Sequence, residues 1–357
     1  MNNCGSNVYL RTRVRILANR LLSETQIGEL MTLSLAELGT RFQLESMLQE
    51  QSEPLQSSHI IERALLHLLM LEFILLLRPL TSQGRSLLLH WSRKFELYNL
   101  KTLIRGKLNG LPIERIRDEL YHLPRYIRLP HEALLQAENV LEMLRMLERG
   151  PYALIARQAR QVYEEQNEPF SLDAAIDRLY YTSMARYVES APVSDRQGLQ
   201  HLVSVLIDRQ NILWLLRYRF AYHFAPSNAY YLLIPSGGGI DRQQLMQLSN
   251  LESFDALVAR LPPPLARLLG ETDNSMQVRQ QLDRYVSDEA RRLIFLTPCV
   301  VVASLGYLIA REKELRRVFA VIQGRLLQLD QALIEEAVLG PLNLETAVNR
   351  SNLILTG

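Results

Sequence analysis

The sequence predicts an all-α protein, on three observations. Leu, Gln, Arg, Glu and Ala dominate its 357 residues, and apolar positions recur at three- and four-residue spacing. Alternating patterns are scarce, and Ala229–Pro235 (AYYLLIP) is the best short strand candidate. One amphipathic helix is also written three times, about 110 residues apart: FELYNLKTLIRGK from Phe95, DRQNILWLLRYR from Asp208, and EKELRRVFAVIQGRL from Glu312.

Taken in order, the first element is Tyr9–Ser23 (YLRTRVRILANRLLS). Its spacing predicts a helix that buries Val14, Leu17, Leu21 and Leu22. Arg11, Arg13, Arg15 and Arg20 are either solvated or a basic contact surface for an acidic partner or lipid headgroups. No apolar run of a secretory signal occurs here, so a cytoplasmic chain is expected. Ile60–Leu80 is apolar but carries Glu62, Arg63, His67, Glu72 and Arg78. It reads as a core or amphipathic helix ending near Pro79. Breakers at 51–58, 79–84, 108–112, 167–170, 235–240, 260–265 and 270–275 mark helix ends and loops.

The repeats have a consistent register. At an offset of 218 residues, Gly106 falls on Gly324, Glu96 on Glu314, Leu100 on Val318 and Ile104 on Ile322. At 112, Glu96 falls on Asp208, Asn99 on Asn211, Leu100 on Ile212 and Lys107 on Arg219. The difference, 106, also places Ile176-Asp177-Arg178 on Leu282-Asp283-Arg284 and Arg186 on Arg292. Three domain-sized lobes follow, with approximate spans 1–120, 121–230 and 231–357. Within the first helix, Leu97, Leu100, Leu103, Ile104, Leu108 and Leu111 form one stripe, with Glu96 and Lys107 at its margin. The acids Glu96, Asp208 and Glu314 are expected near helix starts, and the bases Lys107, Arg219 and Arg325 at helix ends. Both placements suit the helix dipole. These six residues are repeat landmarks and a candidate interface, whose bases are either rim charges or the lining of a shared socket.

Leu293–Ala310 contains no charged residue and is 18 residues long, the lower edge of a membrane span. Thr297-Pro298 breaks the run, leaving about 12 residues, too few to cross hydrocarbon at about 1.5 Å each. A helix buried by its own protein is expected.

Composition narrows the function. Forty Lys and Arg against 38 Asp and Glu give a net charge of +2, against a nucleic-acid-binding role. Cys4 and Cys299 form neither a CxxC pair nor a zinc-spaced set, and they suit a reducing compartment. PSGGGI (235–240) lacks the Lys-Ser/Thr of a P-loop and reads as a turn. The seven histidines include no HExxH, and there is no GxSxG. Adjacent acids such as Glu164-Glu165 and Glu335-Glu336 diverge on a helix. No catalytic, cofactor-binding or metal-binding constellation is visible, and a non-enzyme is expected.

Three stretches carry a resemblance: the N-terminal YLRTRVRILANRLLS, Glu96-x-x-Asn99-Leu100-Lys101-x-Leu103-Ile104-Arg105-Gly106-Lys107, and YLIAREKELRRVFAVIQGRL (Tyr307–Leu326). Their order and spacing, over nearly the whole chain, resemble the C subunit of archaeal and bacterial A/V-type ATPases, equivalent to the d-subunit family of the eukaryotic V-type ATPase. The middle copy departs with Tyr218 for Gly106 and Gly324, and the third with Arg317 for Asn99 and Gln323 for Arg105. The resemblance implies three similar helical lobes in a pseudo-threefold, funnel-shaped arrangement. It implies a non-catalytic rotor subunit on the cytoplasmic face of a membrane ring, coupling the ring to central axle subunits of D and F type. No nucleotide, nucleic acid or small-molecule substrate is implied. The alternative reading is a free-standing helical repeat scaffold for another protein partner.

Overall fold

A computed structural model describes residues 3–49, 54–80, 82–166, 169–235, 239–270, 272 and 274–339. Of the described residues 78% are helical, and none lies in a strand. It divides into two compact units: one of Met1–Leu76 with Pro263–Gly357, the other of Leu77–Pro262.

The first unit opens with α1 (Asn3–Ala18), α2 (Glu24–Thr32), α3 (Leu35–Phe42), α4 (Glu45–Gln49) and α5 (Pro54–Leu77). Ser23 and Ser34 begin α2 and α3 with capping boxes closed by Gln26 and Glu37, so each start is set locally. The second unit contains α6 (Ser82–Leu108), α7 (Ile113–Asp118), α8 (His131–Gln136), α9 (Val140–Met146), α10 (Ala153–Gln166) and α11 (Pro169–Glu189). It continues with α12 (Val193–Leu215), a π-helical turn (Leu216–Ala221), α13 (Pro226–Leu232), α14 (Arg242–Ser249) and α15 (Phe254–Arg260). The first unit then resumes with α16 (Pro263–Leu269), α17 (Ser275–Leu296), α18 (Val300–Leu326) and α19 (Gln331–Leu339).

Two expectations meet different outcomes. The strand candidate Ala229–Pro235 is helix α13 and its exit: Pro226 occupies the first turn, Ala229 is buried and Tyr231 is 70% exposed. The run has one β-branched residue, Ile234, and a proline placed to start a helix, so helical initiation wins. The charge-free run breaks where Thr297-Pro298 predicts. α17 ends at Leu296, and Cys299 caps α18. Every residue from Val300 to Ala310 is buried within the first unit. Among the described residues, no helix is long and apolar enough to cross a membrane. One of the charges within α5, Glu72, is paired inside the unit. Glu72 accepts from Tyr307 Oη at 2.7 Å and from Arg311 Nε at 3.2 Å.

The three repeated helices, α6, α12 and α18, end alike. Each is followed by a residue with left-handed backbone, Gly110, His223 or Gln328. The next amide then bonds back to a carbonyl of the last turns: Leu111 to Gly106 at 2.9 Å, Phe224 to Tyr218 at 2.8 Å, and Leu329 to Gly324 at 2.9 Å. The middle helix reaches back one residue further, because its π turn takes up one extra residue. That insertion sits at Tyr218, where the other copies have glycine. Gly106 and Gly324 each lie against an isoleucine of the next helix. A Cβ there would meet Ile116 Cγ1 at 2.5 Å and Ile334 Cγ1 at 2.6 Å, respectively. Ile116 and Ile334 are themselves 218 residues apart, so pocket and knob repeat together. In the middle copy, Tyr218 instead joins Phe170, Trp214 and Phe224 in an aromatic cluster.

Candidate functional site

The acids Glu96, Asp208 and Glu314 are 0%, 5% and 3% exposed, so they lie inside the fold and not at the rim of the apolar stripe. They also sit mid-helix, since α6 starts at Ser82, α12 at Val193 and α18 at Val300. The dipole argument therefore fails for the acids, because the turns that precede the motif are also helical. What holds the carboxylates inside is a set of backbone and side-chain donors.

In α6, Glu96 accepts from the Leu129 amide at 2.5 Å, from His131 Nε2 at 2.5 Å and from Asn99 Nδ2 at 3.0 Å. A carboxylate only accepts, so the His131 tautomer here carries its proton on Nε2. Asn99 also donates to the Tyr121 carbonyl at 3.0 Å and accepts from the Tyr121 amide at 2.8 Å. The helix thus grips a later backbone segment at two points. Helix α12 does the same. Asp208 accepts from the Ile240 amide at 3.0 Å, and Asn211 brackets Ile234 with two bonds of 2.9 Å. Gly239 packs so closely that a Cβ there would lie 1.9 Å from Asp208 Oδ2. Burial lifts the Asp208 carboxyl to about 6, with the Ile240 amide and nearby His201 acting against the rise. Of PSGGGI, residues 236–238 lie outside the described residues.

The third copy uses the other end of the chain. Glu314 accepts from the Leu22 amide and from Arg311, with Arg291 at 3.9 Å. Arg317, in place of the asparagine, forks onto Glu24 with two bonds of 2.6 Å and holds that carboxyl below its usual range. Leu22 therefore occupies the place of Leu129 and Ile240. The residues that follow match: Ile27, Leu134 and Leu245 are all buried, as are Leu30, Ala137 and Leu248.

The bases obey the same register. Arg219 donates to the carbonyls of Ser249 at 2.7 Å, Leu251 at 3.3 Å and Phe224. Arg325 donates to the Met31 carbonyl. Ser249 and Met31 both lie nine residues beyond the gripped amide, so the two guanidinia reach the same place in their copies. Lys107 is half-buried at the corresponding point. The aligned aspartates are also paired: Asp177 takes Lys101 Nζ at 2.8 Å, and Asp283 takes Lys313.

The sequence aligns Asn99 with Asn211 without giving them a role; the partners it does not single out are His131 and the amides of Leu129, Ile240 and Leu22. A polar pair at i and i+3, repeated inside an apolar stripe, was the available signal. Of the N-terminal set, Val14 and Leu21 are buried and Leu17 and Leu22 half-buried. Arg15 and Arg20 are exposed, and Arg11 and Arg13 half-buried. A cleft in the first unit is lined by Glu24, Asp288, Arg291, Lys313, Glu314 and Arg317, among others. Five bases face four acids there, so it is no anion trap. Among the described residues, no group of three or more His, Cys, Asp or Glu is placed to hold a metal.

Comparison with known proteins places this architecture. The family model "ATP synthase (C/AC39) subunit" matches residues 10–337. The chain is 22% identical to the C subunit of the A-type ATP synthase of Methanosarcina mazei over 92% of its own length and 91% of the relative. It is 25% identical to the C subunit from Haloquadratum walsbyi, covering 91% and 96%, and 21% identical to that from Methanocaldococcus jannaschii, covering 89% and 82%. The chain belongs to the ATP synthase (C/AC39) subunit family.

Proposed function

We propose that the chain is a non-catalytic central-stalk rotor subunit of a V/A-type rotary ATPase. In this reading it sits on the cytoplasmic side of the membrane, on the ion-translocating ring, and receives the axle subunits of D and F type. It couples ATP turnover in the head to proton or sodium transport in the ring. The carrying observation is the family match along nearly the whole chain, shared over most of their own lengths with relatives named as C subunits of A-type ATP synthases. The three grips support a mechanical role. Each ties a long helix to backbone distant in sequence through buried, charge-assisted hydrogen bonds, which resist sliding of one element past another. We further propose three lobes, each centred on one of α6, α12 and α18, with the N-terminal segment completing the third.

The test is purification of the tagged chain from its native host, with identification of what accompanies it. Ring and axle subunits should co-purify. Recovery of the chain without any ATPase subunit would overturn the reading.

A further inference from the structure

Helix α1 buries one apolar face and leaves Val8, Tyr9 and Ile16 exposed on the opposite one. Leu10, Val14 and Ala18 are buried. On the other side Val8, Tyr9 and Ile16 are 62%, 53% and 50% exposed. At about 100° per residue, Val8, Thr12 and Ile16 run along the middle of the exposed face, with Tyr9 beside them. Arg11 and Arg15 lie on one flank of that face and Arg13 on the other, and Arg20 follows in the turn just past the helix end. The helix contains no acid. None of the four arginines makes an ion pair with a described residue. Arg13 instead folds over Tyr9, 5.3 Å from the ring centroid and bonded to its hydroxyl. Several other bases of this unit do pair with acids, as Arg317 does with Glu24 and Lys313 with Asp283.

We infer that the outer face of α1 docks on an anionic lipid surface. Exposed apolar side chains, Val8, Tyr9 and Ile16, with cations on both flanks are the layout of a helix lying in the headgroup plane. Its middle enters the acyl boundary, and the side chains on both flanks reach outward to phosphates. Tyrosine at the edge of that face suits the same interface, where an apolar ring meets a wet hydroxyl. An acidic protein helix would complement the arginines but would leave Val8 and Ile16 to be matched separately. The inference does not depend on the rotor reading, because it concerns the isolated chain and a bilayer.

The test is co-sedimentation of the purified full chain with phosphatidylcholine vesicles, with and without phosphatidylglycerol, at low and high salt. Binding should require phosphatidylglycerol and fall at high salt. Changing Arg11, Arg13, Arg15 and Arg20 to Gln should weaken it about fivefold per arginine. Ile16→Asp, with all four arginines kept, should also reduce binding, which a purely ionic contact would not show. A control with Arg115, Arg125, Arg149 and Arg157 changed to Gln should bind as the parent does, and circular dichroism should show every variant folded. The inference fails if the parent chain ignores the vesicles, if the arginine variant binds unchanged, or if the control loses as much. If the parent ignores vesicles and the arginine variant drops out of the native complex, the face is a protein interface instead. Vesicle binding and co-purification of ATPase subunits are separate readouts, so either reading can fail while the other stands.

Discussion

Removing the Glu96 carboxylate should uncouple α6 from the segment it grips. The side chain is fully buried and accepts from three donors, the Leu129 amide, His131 and Asn99. In Glu96→Ala the Leu129 amide loses its acceptor, which costs about 1–3 kcal/mol for a buried donor. His131 loses its partner as well, and the truncated side chain leaves a void. Asn99 keeps its two bonds to Tyr121 and limits the damage. The sum is about 3–5 kcal/mol, the range for breaking a buried charged network. Glu96→Gln keeps an oxygen for the Leu129 amide and loses the charge, so about 1–2 kcal/mol is expected. Because the chain has two compact units, one global midpoint would blur the effect. The informative assay is residue-level hydrogen exchange, with urea unfolding beside it. Leu129 should exchange much faster in the alanine variant and modestly faster in the glutamine variant, while Leu22 in the other unit stays unchanged. Unaltered exchange at Leu129, or a cost under about 1 kcal/mol for alanine, would refute the grip as a stabilising device.

Gly106→Ala and Gly324→Ala should each cost about 1–3 kcal/mol in thermal or urea unfolding, because the new Cβ would meet Ile116 at 2.5 Å or Ile334 at 2.6 Å. Pairing Gly106→Ala with Ile116→Ala should recover part of the loss, and strictly additive effects would argue against the contact. Arg219→Ala leaves up to three backbone carbonyls without their donor and should cost about 2–4 kcal/mol, whereas Lys107→Ala should stay within about 0.5 kcal/mol. Equal losses in melting experiments would return both residues to the status of rim charges. The Asp208 carboxyl is lifted to about 6 in the fold, above its ordinary 3.8, so its ionisation destabilises the native state: the penalty is absent below about pH 4 and complete above about pH 6. Melting temperatures of parent and Asp208→Asn compared from pH 4 to 7 should favour the variant increasingly with rising pH, and a constant difference would refute the assignment.

The helices and the repeat register were legible because both rest on local periodicity. The offsets of 112 and 218 align Asn99 with Asn211 and Gly106 with Gly324, and the structure gives those pairs matching surroundings. The break at Thr297-Pro298 was equally legible, since proline acts on its own turn. The grips were not. Glu96 and Lys107 look alike on a helical wheel, as charges beside an apolar stripe. What separates them is Leu129 and His131, 33 and 35 residues further on from Glu96. Burial of a carboxylate depends on donors that periodicity does not reveal. Ala229–Pro235 failed for a related reason. Its apolar run is too short to show its period, and Pro226 just before it decided the outcome.

The substitution of Arg317 for asparagine becomes intelligible from the same geometry. Asn99 and Asn211 bracket a residue 22 or 23 positions downstream, Tyr121 or Ile234. The segment Glu314 grips comes from the N-terminus, and it presents a carboxylate, Glu24, where the other copies present backbone. An asparagine amide there would face an anion with a weak neutral donor, while a guanidinium meets it with two parallel charge-assisted bonds. Arg311 and Arg291 likewise gather on Glu314, the one acid of the three whose gripped amide lies 292 residues away in sequence. Joining two chain ends carries a larger loop-closure entropy than folding back over 33 residues, and the ionic bonds concentrated at this joint offset it. The departures from the repeat therefore mark where one unit is assembled from both ends of the chain.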